Sequence, residues 1–362
     1  MASSPSTMTT SSVVPESQNI LNTKQYVKEA WSSPFDPATL SNSSLHELVL
    51  HLFNPCSISI GISTDKMSSF LRLVQGKYHN NPYHCWAHAV HVTFNAYRLS
   101  KELRDSSSFD HLDQFVLLFS AVIHDLHHPG HSNMFEIQSN SELARLYNDQ
   151  SVIENHSLSV GFDLVKEAEL FLELSTEIQN SIRARTVEMV LATDISPPSG
   201  KDRALLMSVK WAAAFGDDVT PEEFKVETAE QRQRVHILLL RIADLGSAMQ
   251  PFSVFGNWSQ RLYVENNRAS GLTQECHTNT QKPFMEYLCV PLVTEASKYP
   301  ILKNIHVLKE LLEGNLKRWN SLDVQGKCAA ITAAYVVQPE GSSCLDTSAT
   351  TNGVEKGATS KT

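Results

Sequence analysis

The chain has 362 residues, of which 41% are hydrophobic, 19% are charged and 8% are aromatic. This composition is typical of a globular protein and excludes a disordered or collagen-like chain, and no run approaches the about 18 apolar residues that a membrane-spanning helix needs. The 30 basic and 39 acidic side chains give a formal charge of −9, which disfavours a nucleic-acid partner because phosphate backbones attract basic surfaces.

The two ends of the sequence differ in composition from the middle. Residues 1–19 are rich in Ser, Thr and Pro, and residues 339–362 are rich in Gly, Ser and Thr. Neither end offers enough apolar surface to offset the entropy of ordering it. The sequence therefore predicts two disordered tails around one folded domain, residues 20–338. The first residues lack the basic start and apolar core of a secretory signal, and the six cysteines include no CxxC pair, so we expect reduced thiols and a cytoplasmic protein.

The apolar residues of the middle region recur at the spacing of a helix face, and alternating strand patterns are absent. The clearest case is the apolar run that leads from Val116 to His124. Further helices are predicted over residues 152–174, 178–192, 234–249 and 301–319. The pattern predicts an all-α fold, a compact bundle of many helices.

Two helix starts carry capping signals. Ser151 and Glu154 form an S-x-x-E box, in which each side chain satisfies a backbone amide of the first turn. Thr220, Pro221 and Glu223 place a cap, a first-turn proline and a reciprocal Glu in order. Both patterns predict a helix that begins directly after the cap.

Histidine is the unusual residue of this chain. There are 15 histidines, and nine of them lie between His79 and His131. In the segment YHCWAHAVH, residues 83–91, His84 and His88 are four residues apart and share one face of a helix. Imidazoles at this spacing can converge on a metal ion, although the same spacing also occurs on protein surfaces and in cores.

A second motif, IHDLHHPGHSN, follows an apolar helix at residues 123–133. Its adjacent side chains His124 and Asp125 diverge by about 100° on a helix. A single ion is therefore poorly served by both, whereas a carboxylate that bridges two metals about 3.5 to 4 Å apart fits the pattern. A buried hydrogen bond between the two side chains is the alternative.

A third candidate is Asp244, in the apolar segment LLLRIADLGS. A carboxylate in such a helix is costly unless a metal binds it or a cation pairs with it, and Arg241 is one possible partner. Together with His124 and Asp125 it would give a nitrogen-rich metal site beside an oxygen-rich one. Such a pair suits Zn²⁺ with Mg²⁺ or Mn²⁺.

These motifs occur in the order and at the spacing of one known family. From about residue 78 to residue 320 the sequence resembles the catalytic domain of the class I 3′,5′-cyclic-nucleotide phosphodiesterases, a helical branch of the HD metallohydrolases. The matching segments are PYHCWAHAVHV, FSAVIHDLHHPGHSN, ELARLYNDQSVIENH, LATD, LLLRIADL and TQKPFMEYLCVPL. The resemblance implies a helical bundle with a dinuclear metal site in a deep pocket.

The resemblance also implies how the metals and the leaving group are handled. It implies four metal ligands, namely His88, His124, Asp125 and Asp244, with Asp125 shared between the two ions. A hydroxide between the ions would attack the cyclic phosphate, and His84 would protonate the departing O3′.

Further positions of the family carry over to this sequence. Those that orient metal-bound waters or ligands match His128, Glu154 and Thr193. Those that contact the substrate match Tyr83, Gln281, Phe284 and Leu262. Gln281 is expected to hydrogen-bond the purine edge, while Phe284 and Leu262 enclose the base. From the residues alone, Phe284 also fits a core position and Glu154 a capping residue.

Several positions depart from the usual family pattern. They are Cys85, His91, His127 and Ser247, and the segment from Trp258 to Gln281 is shorter than usual. None of the four is a predicted metal ligand. Because two of them place an imidazole where the family usually has an acid, we expect a less negative pocket.

The sequence therefore predicts metal-dependent hydrolysis of 3′,5′-cyclic nucleotides, cyclic AMP, cyclic GMP or both, to 5′-monophosphates. The expected partner is a cyclic purine nucleotide, with no nucleic acid and no membrane span. Two alternatives remain open. One is another HD-type phosphohydrolase that acts on linear nucleotides or phosphomonoesters, and the other is a cyclic-nucleotide-binding module with impaired catalysis.

Overall fold

The computed structural model describes residues 31–104, 106–195, 225–298 and 301–332. Within these ranges there are helices and turns but no strand, and an isolated bridge joins Leu103 to Leu302. The predicted all-α fold is confirmed. Both predicted tails, 1–19 and 339–362, and the predicted cap at Thr220 lie outside the described residues. No single helix in the described part of the chain is long and apolar enough to cross a membrane. One bent pair of helical segments, Ala229–Met249 with Phe252–Ser270, reaches the required length and apolar composition only when the two segments are taken together.

Fourteen α-helices are found in the described residues. They are α1 Asn42–Ser59, α2 Thr64–Lys77, α3 Trp86–Lys101, α4 His111–Ile123, α5 Asn133–Gln138, α6 Glu142–Leu146, α7 Val152–Glu167, α8 Thr176–Leu191, α9 Ala229–Asp244, α10 Phe252–Ser270, α11 Gln274–Phe284, α12 Val290–Lys298, α13 Ile305–Ser321 and α14 Val324–Thr332. A π-turn at Met285–Cys289 connects α11 to α12, and a short 3₁₀ turn, Pro37–Thr39, precedes α1.

Helix α4 lies at the centre of the bundle. It begins at a capping box in which Asp110 and Asp113 each accept the other's backbone N–H. Every residue from 115 to 123 is buried, as expected for a helix that is apolar all round. Helices α1, α3, α8 and α9 pack around it. Because α4 ends at Ile123, it delivers the two residues that follow into the interior.

The end of α9 lies close to α3. Asp244 is the last residue of α9, and a 3₁₀ turn, Leu245–Met249, follows. A Cβ added at Gly246 would lie 2.8 Å from Nδ2 of Asn95 on α3. The missing side chain at Gly246 therefore allows the end of α9 to approach α3 closely.

The predicted capping box at Ser151 is wrong. Ser151 has a left-handed backbone, with φ of 39°, and makes no side-chain cap. Its hydroxyl donates instead to Asp194 at 2.8 Å. The cap comes from a distant residue, because Oδ1 of Asn133 accepts the backbone N–H of Ile153 at 2.9 Å.

Some helix boundaries also differ from the predicted ones. The helix predicted over residues 152–174 ends at Glu167, and Glu169 then has a positive φ of 50°. The helix predicted over residues 234–249 starts earlier, at Ala229, because Thr228 and Gln231 form a capping box there. Its regular part ends at Asp244.

Candidate metal centre

Three helices bring the four predicted metal ligands together. His88 projects from the first turn of α3, His124 and Asp125 follow α4, and Asp244 ends α9. One ligand atom from each residue lies within 4.8 Å of the others. Nε2 of His124 is 3.1 Å from Oδ2 of Asp125 and 3.3 Å from Oδ1 of Asp244. Nε2 of His88 lies 3.3 and 3.4 Å from the same two oxygens.

The donor atoms of this cluster fit a divalent cation. Both histidines are buried, and neither Nε2 has a hydrogen-bond partner among the described residues, although carboxylate oxygens lie nearby. Nδ1 of His124 donates to the carbonyl oxygen of Ala121 at 2.8 Å. In the neutral ring this leaves the Nε2 lone pair directed at the carboxylates, which is the tautomer that a metal ligand needs. Two imidazole nitrogens and two carboxylate oxygens are common zinc ligands.

The electrostatics of the cluster agree with a site for positive charge. Burial lowers the pKa of His124, but the carboxylates of Asp125 and Asp244 outweigh it and raise that pKa well above its usual range. Burial raises the pKa of Asp244, but His124 and His88 outweigh it and lower that pKa to about 2. A cation that binds here must displace a proton from the imidazole of His124, so binding is linked to proton release.

His84 lies beside this cluster and is paired with a carboxylate. Nδ1 of His84 donates a hydrogen bond to Oε1 of Glu265 on α10. The other carboxylate oxygen accepts the backbone N–H groups of Tyr83 and His84, at 2.9 and 3.0 Å. Burial lowers the pKa of His84, but the charges of Glu265 and Asp125 outweigh it and raise that pKa to about 9. Glu265 therefore fixes the ring and favours its protonated form.

His128 packs face to face against His84. The ring centroids are 3.8 Å apart and the planes differ by 18°. Burial and the charge of His84 lower the pKa of His128 to about 3. Nδ1 of His128 accepts the backbone N–H of Gly130 at 3.0 Å, so the neutral ring carries its proton on Nε2.

A single amide ties the two imidazole-bearing segments together. Nδ2 of Asn81 donates to the carbonyl oxygens of His84, at 3.2 Å, and of His128, at 2.8 Å. Gly130 has a positive φ of 80°, and a Cβ there would lie 3.3 Å from Oδ1 of Asn81. The turn after His128 therefore requires glycine, both for its backbone and for its approach to Asn81.

Glu154 and Thr193 both lie near Asp194. The carboxylate of Glu154 accepts Nδ2 of Asn133 at 2.9 Å. Burial and the charge of Asp194 raise the pKa of Glu154 to about 7, and Asp125 acts in the same direction. Thr193 is buried, and its hydroxyl donates to the carbonyl oxygen of Val190 at 2.7 Å.

The predicted substrate-contacting residues fall into two groups. The ring of Tyr83 lies 4.8 Å from those of both His84 and His88, so Tyr83 belongs to the metal centre. The other three residues, Leu262, Gln281 and Phe284, lie on the neighbouring helices α10 and α11. Leu262 is three residues before Glu265 and shares its side of α10.

Helix α11 is held to α10 through His277. Nε2 of His277 is 3.2 Å from the hydroxyl of Ser259 on α10 and 3.1 Å from Nε2 of Gln281. Burial lowers the pKa of His277 to about 4, so its ring is neutral and accepts from the Gln281 amide. Gln281 is buried, while Phe284 is half-buried and packs against the core.

The residues that depart from the family pattern lie in different surroundings. Cys85 is the residue before α3 and makes no side-chain cap, and Ser247 is buried in the turn after Asp244. His91 stacks on Trp258 at 5.3 Å, and burial lowers its pKa to about 3. His127 has a positive φ of 62°, and its Nδ1 lies 3.0 Å from Nε2 of His156.

The most important site residue missed by sequence reasoning is Glu265. Its partner, His84, is 181 residues away, so local spacing does not reveal the pair. The available signal was on α10 itself, where Asn257, Arg261 and Glu265 recur every four residues and therefore share one face.

Comparison with known proteins assigns most of the chain to one family. Residues 83–306 match the family described as 3′5′-cyclic nucleotide phosphodiesterase. The chain is 34% identical over 248 residues to a 3′,5′-cyclic-AMP phosphodiesterase 4C of Rattus norvegicus, which covers 64% of this chain and 46% of the relative. It is 27% identical over 329 residues to the 3′,5′-cyclic-nucleotide phosphodiesterase regA of Dictyostelium discoideum, with 85% of this chain and 40% of the relative covered. The chain thus spans less than half the length of these relatives.

Solved structures give the same fold. The phosphodiesterase domain of Salpingoeca rosetta rhodopsin phosphodiesterase superposes with a TM-score of 0.71 at 25% identity, covering 83% of this chain and 94% of that domain. A second structure is the phosphodiesterase domain of the RhoPDE fusion protein from the same organism. It superposes with a TM-score of 0.71 at 24% identity, covering 86% of this chain and 98% of that one.

Proposed function

The chain belongs to the 3′,5′-cyclic nucleotide phosphodiesterase family, and from this premise we propose that it hydrolyses a 3′,5′-cyclic purine nucleotide to the 5′-monophosphate. The observation that carries the proposal is the position of the His84–Glu265 pair beside the cluster of His88, His124, Asp125 and Asp244. A cation site next to a protonated imidazole is suited to an anionic phosphodiester with a poor leaving group.

We propose that the cluster holds one of two divalent cations, Zn²⁺ together with Mg²⁺ or Mn²⁺. When bound, the cations supply Lewis acidity, which neutralises phosphoryl charge and lets water act as a nucleophile at neutral pH. The contacts of Asp125 with both imidazoles run through Oδ2. Asp125 would therefore be the residue that also holds the second cation.

His84 is the proposed general acid. Its Nδ1 is engaged by Glu265, so Nε2 is the nitrogen left to deliver a proton to the departing O3′. Glu265 favours the protonated ring before the reaction and also sets its orientation through two backbone contacts. His128, which stays neutral and stacks on His84, limits the directions in which that ring can turn.

The side chains of Glu154 and Thr193 are proposed to orient water around the cations. The raised pKa of Glu154 allows its carboxyl to donate or accept a hydrogen bond near neutral pH. Tyr83, Leu262, Gln281 and Phe284 are proposed to contact the nucleotide. Gln281 is supported in this role because His277 occupies its amide nitrogen and so restricts the rotation of the amide.

The proposal is tested by measuring turnover with the purified chain. Cyclic AMP, cyclic GMP, a linear nucleoside triphosphate and a 5′-monophosphate are compared after chelator treatment and again after Zn²⁺, Mg²⁺ and Mn²⁺ are restored singly and in pairs. We expect conversion of a cyclic nucleotide to its 5′-monophosphate only when metal is restored. Turnover of the linear substrates alone would assign a different HD-type hydrolase, and tight binding of cyclic nucleotide with no product would assign a binding module.

A further inference from the structure

Helix α10 turns a polar face toward the interior. Asn257, Arg261 and Glu265 are four residues apart, so they share one side of the helix. Asn257 and Glu265 are buried, and Arg261 is half-buried. Polar groups in such positions are costly unless each one has a partner, and each of these three contacts a residue far from it in the chain.

Two of the three residues hold the turn that carries His84. Glu265 accepts the backbone N–H groups of Tyr83 and His84 and pairs with the His84 ring. Nη1 of Arg261 donates to the carbonyl oxygen of Pro82 at 3.2 Å. The position of the His84 imidazole therefore depends on how Arg261 and Glu265 are oriented.

The third residue, Asn257, contacts the segment before α1. Its Nδ2 donates a hydrogen bond to Oδ2 of Asp36. The other oxygen of Asp36 accepts the backbone N–H of Ala38 at 3.0 Å. Burial raises the pKa of Asp36, while these hydrogen bonds and the positive charge of Arg261 act against that shift and favour the carboxylate. From Asp36 through Arg261 and Glu265 to the ring of His84, the charges alternate in sign.

The segment that carries Asp36 is anchored on α3. Nε1 of Trp31 donates to Glu102 at 2.6 Å, and the guanidinium of Arg98 lies 4.0 Å from the Trp31 ring. The ring of Phe35 lies 4.3 Å from that of Phe94. These contacts set the segment in place independently of α10.

We propose that Asp36 is a positioning residue for His84 and acts through Asn257 and Arg261; the inference rests on the proposed hydrolysis. Arg261 and Glu265 have the spacing at which Arg and Glu pair on a helix. The carboxylate of Asp36 draws the guanidinium away from Glu265 and toward Pro82. Without that carboxylate Arg261 turns to Glu265 and competes with His84 for it. Asp36 lies outside residues 83–306, which match the family.

The test is the substitution Asp36→Asn, which removes the charge and keeps the size. We expect kcat to fall by about tenfold, since a small displacement of a catalytic group has effects of this order or larger. KM and metal content should stay as in the wild type. The double variant Asp36→Asn/Asn257→Asp returns a carboxylate to the same contact and should restore most of kcat. The matched control, Asp163→Asn on α7, makes the same change at an exposed carboxylate and should leave kcat unchanged.

A second readout does not depend on turnover. The hydrogen bond from Nδ1 of His84 to Glu265 should give a downfield proton resonance, assigned by its loss in His84→Ala. This resonance should move upfield in Asp36→Asn and return in the double variant. If the wild type does not turn over cyclic nucleotides, the proposed hydrolysis fails but the resonance still tests the role of Asp36. An unchanged resonance in Asp36→Asn, or an equal loss of kcat in Asp163→Asn, would overturn the inference.

Discussion

The imidazoles of His84 and His128 are stacked, and their protonation is set in opposite directions. The pKa of His84 is raised to about 9 and that of His128 is lowered to about 3. Because like charges in contact repel, the rings cannot both be protonated at little cost. Glu265 contacts His84 and so decides which ring holds the proton. Two neighbouring groups with separated pKa values are the arrangement expected when one of them acts as an acid.

The first prediction separates the acid from the metal ligands. In His84→Ala, kcat for cyclic nucleotide should fall by about 10²- to 10⁴-fold, the usual contribution of a general acid. The four ligands are untouched, so the metal content after dialysis, measured by atomic emission, should equal that of the wild type. His79→Ala, at an exposed histidine of the preceding segment, is the control and should retain activity. A loss of metal from His84→Ala would count against its assignment as the acid.

The second prediction concerns the ligand assigned to both cations. Asp125→Ala removes a carboxylate that lies 3.1 Å from His124 and 3.3 Å from His88. Metal content and turnover should be lost together, because two imidazoles that have lost a nearby carboxylate bind cations more weakly. Asp163→Ala, at an exposed position on α7, should keep both. Full metal stoichiometry in Asp125→Ala would contradict the shared-ligand role.

The third prediction tests the packing behind the metal centre. A Cβ at Gly161 on α7 would lie 2.9 Å from Cδ1 of Ile123, the residue before His124. We expect Gly161→Ala to lower the free energy of unfolding by about 1 to 3 kcal/mol, as overpacked cores do. At Gly76 on α2, a Cβ would meet nothing within 4 Å. Gly76→Ala should therefore stabilise the protein by about 0.5 to 1 kcal/mol through helix propensity. Urea unfolding of both variants measures the two effects, and equal changes would contradict the packing argument.

The fourth prediction is a pH dependence of stability far from the metal centre. Burial and the charges of Arg185 and Arg232 lower the pKa of His236 from 6.5 to about 3. Between these values the unfolded chain binds a proton that the folded chain does not, so stability falls as the pH falls below about 6.5. The contribution should amount to about 2 kcal/mol between pH 7 and pH 5.

His236→Gln isolates this contribution. Nδ1 of His236 accepts Nη2 of Arg185 at 3.0 Å, and the glutamine carbonyl oxygen can take over that contact. Urea unfolding at pH 7 and pH 5 should show a smaller loss of stability in the variant than in the wild type. The control His306→Gln, at an exposed position of α13, should show the wild-type loss. Identical pH dependence in all three proteins would refute the prediction.

The all-α fold and the residues of the candidate metal cluster could be predicted because most of their signals are local. The apolar run of α4 has helical spacing, and the motifs around His88 and His124 combine metal-binding residue types at short separations. Glu265 and Asp36 could not be predicted in the same way, because their partners are 181 and 221 residues away. The S-x-x-E pattern at Ser151 failed for a related reason, since the distant residue Asn133 accepts a first-turn amide and the Ser151 hydroxyl donates to Asp194.

The amide of Asn81 has a consequence for motion as well as for geometry. Both of its contacts end on main-chain carbonyls, one in the segment that carries His84 and one in the segment that carries His128. A fluctuation that separates the two segments must break at least one of these two hydrogen bonds of the Asn81 side chain. The two segments should therefore open as one cooperative unit, with similar hydrogen-exchange protection, although they are distant in the chain.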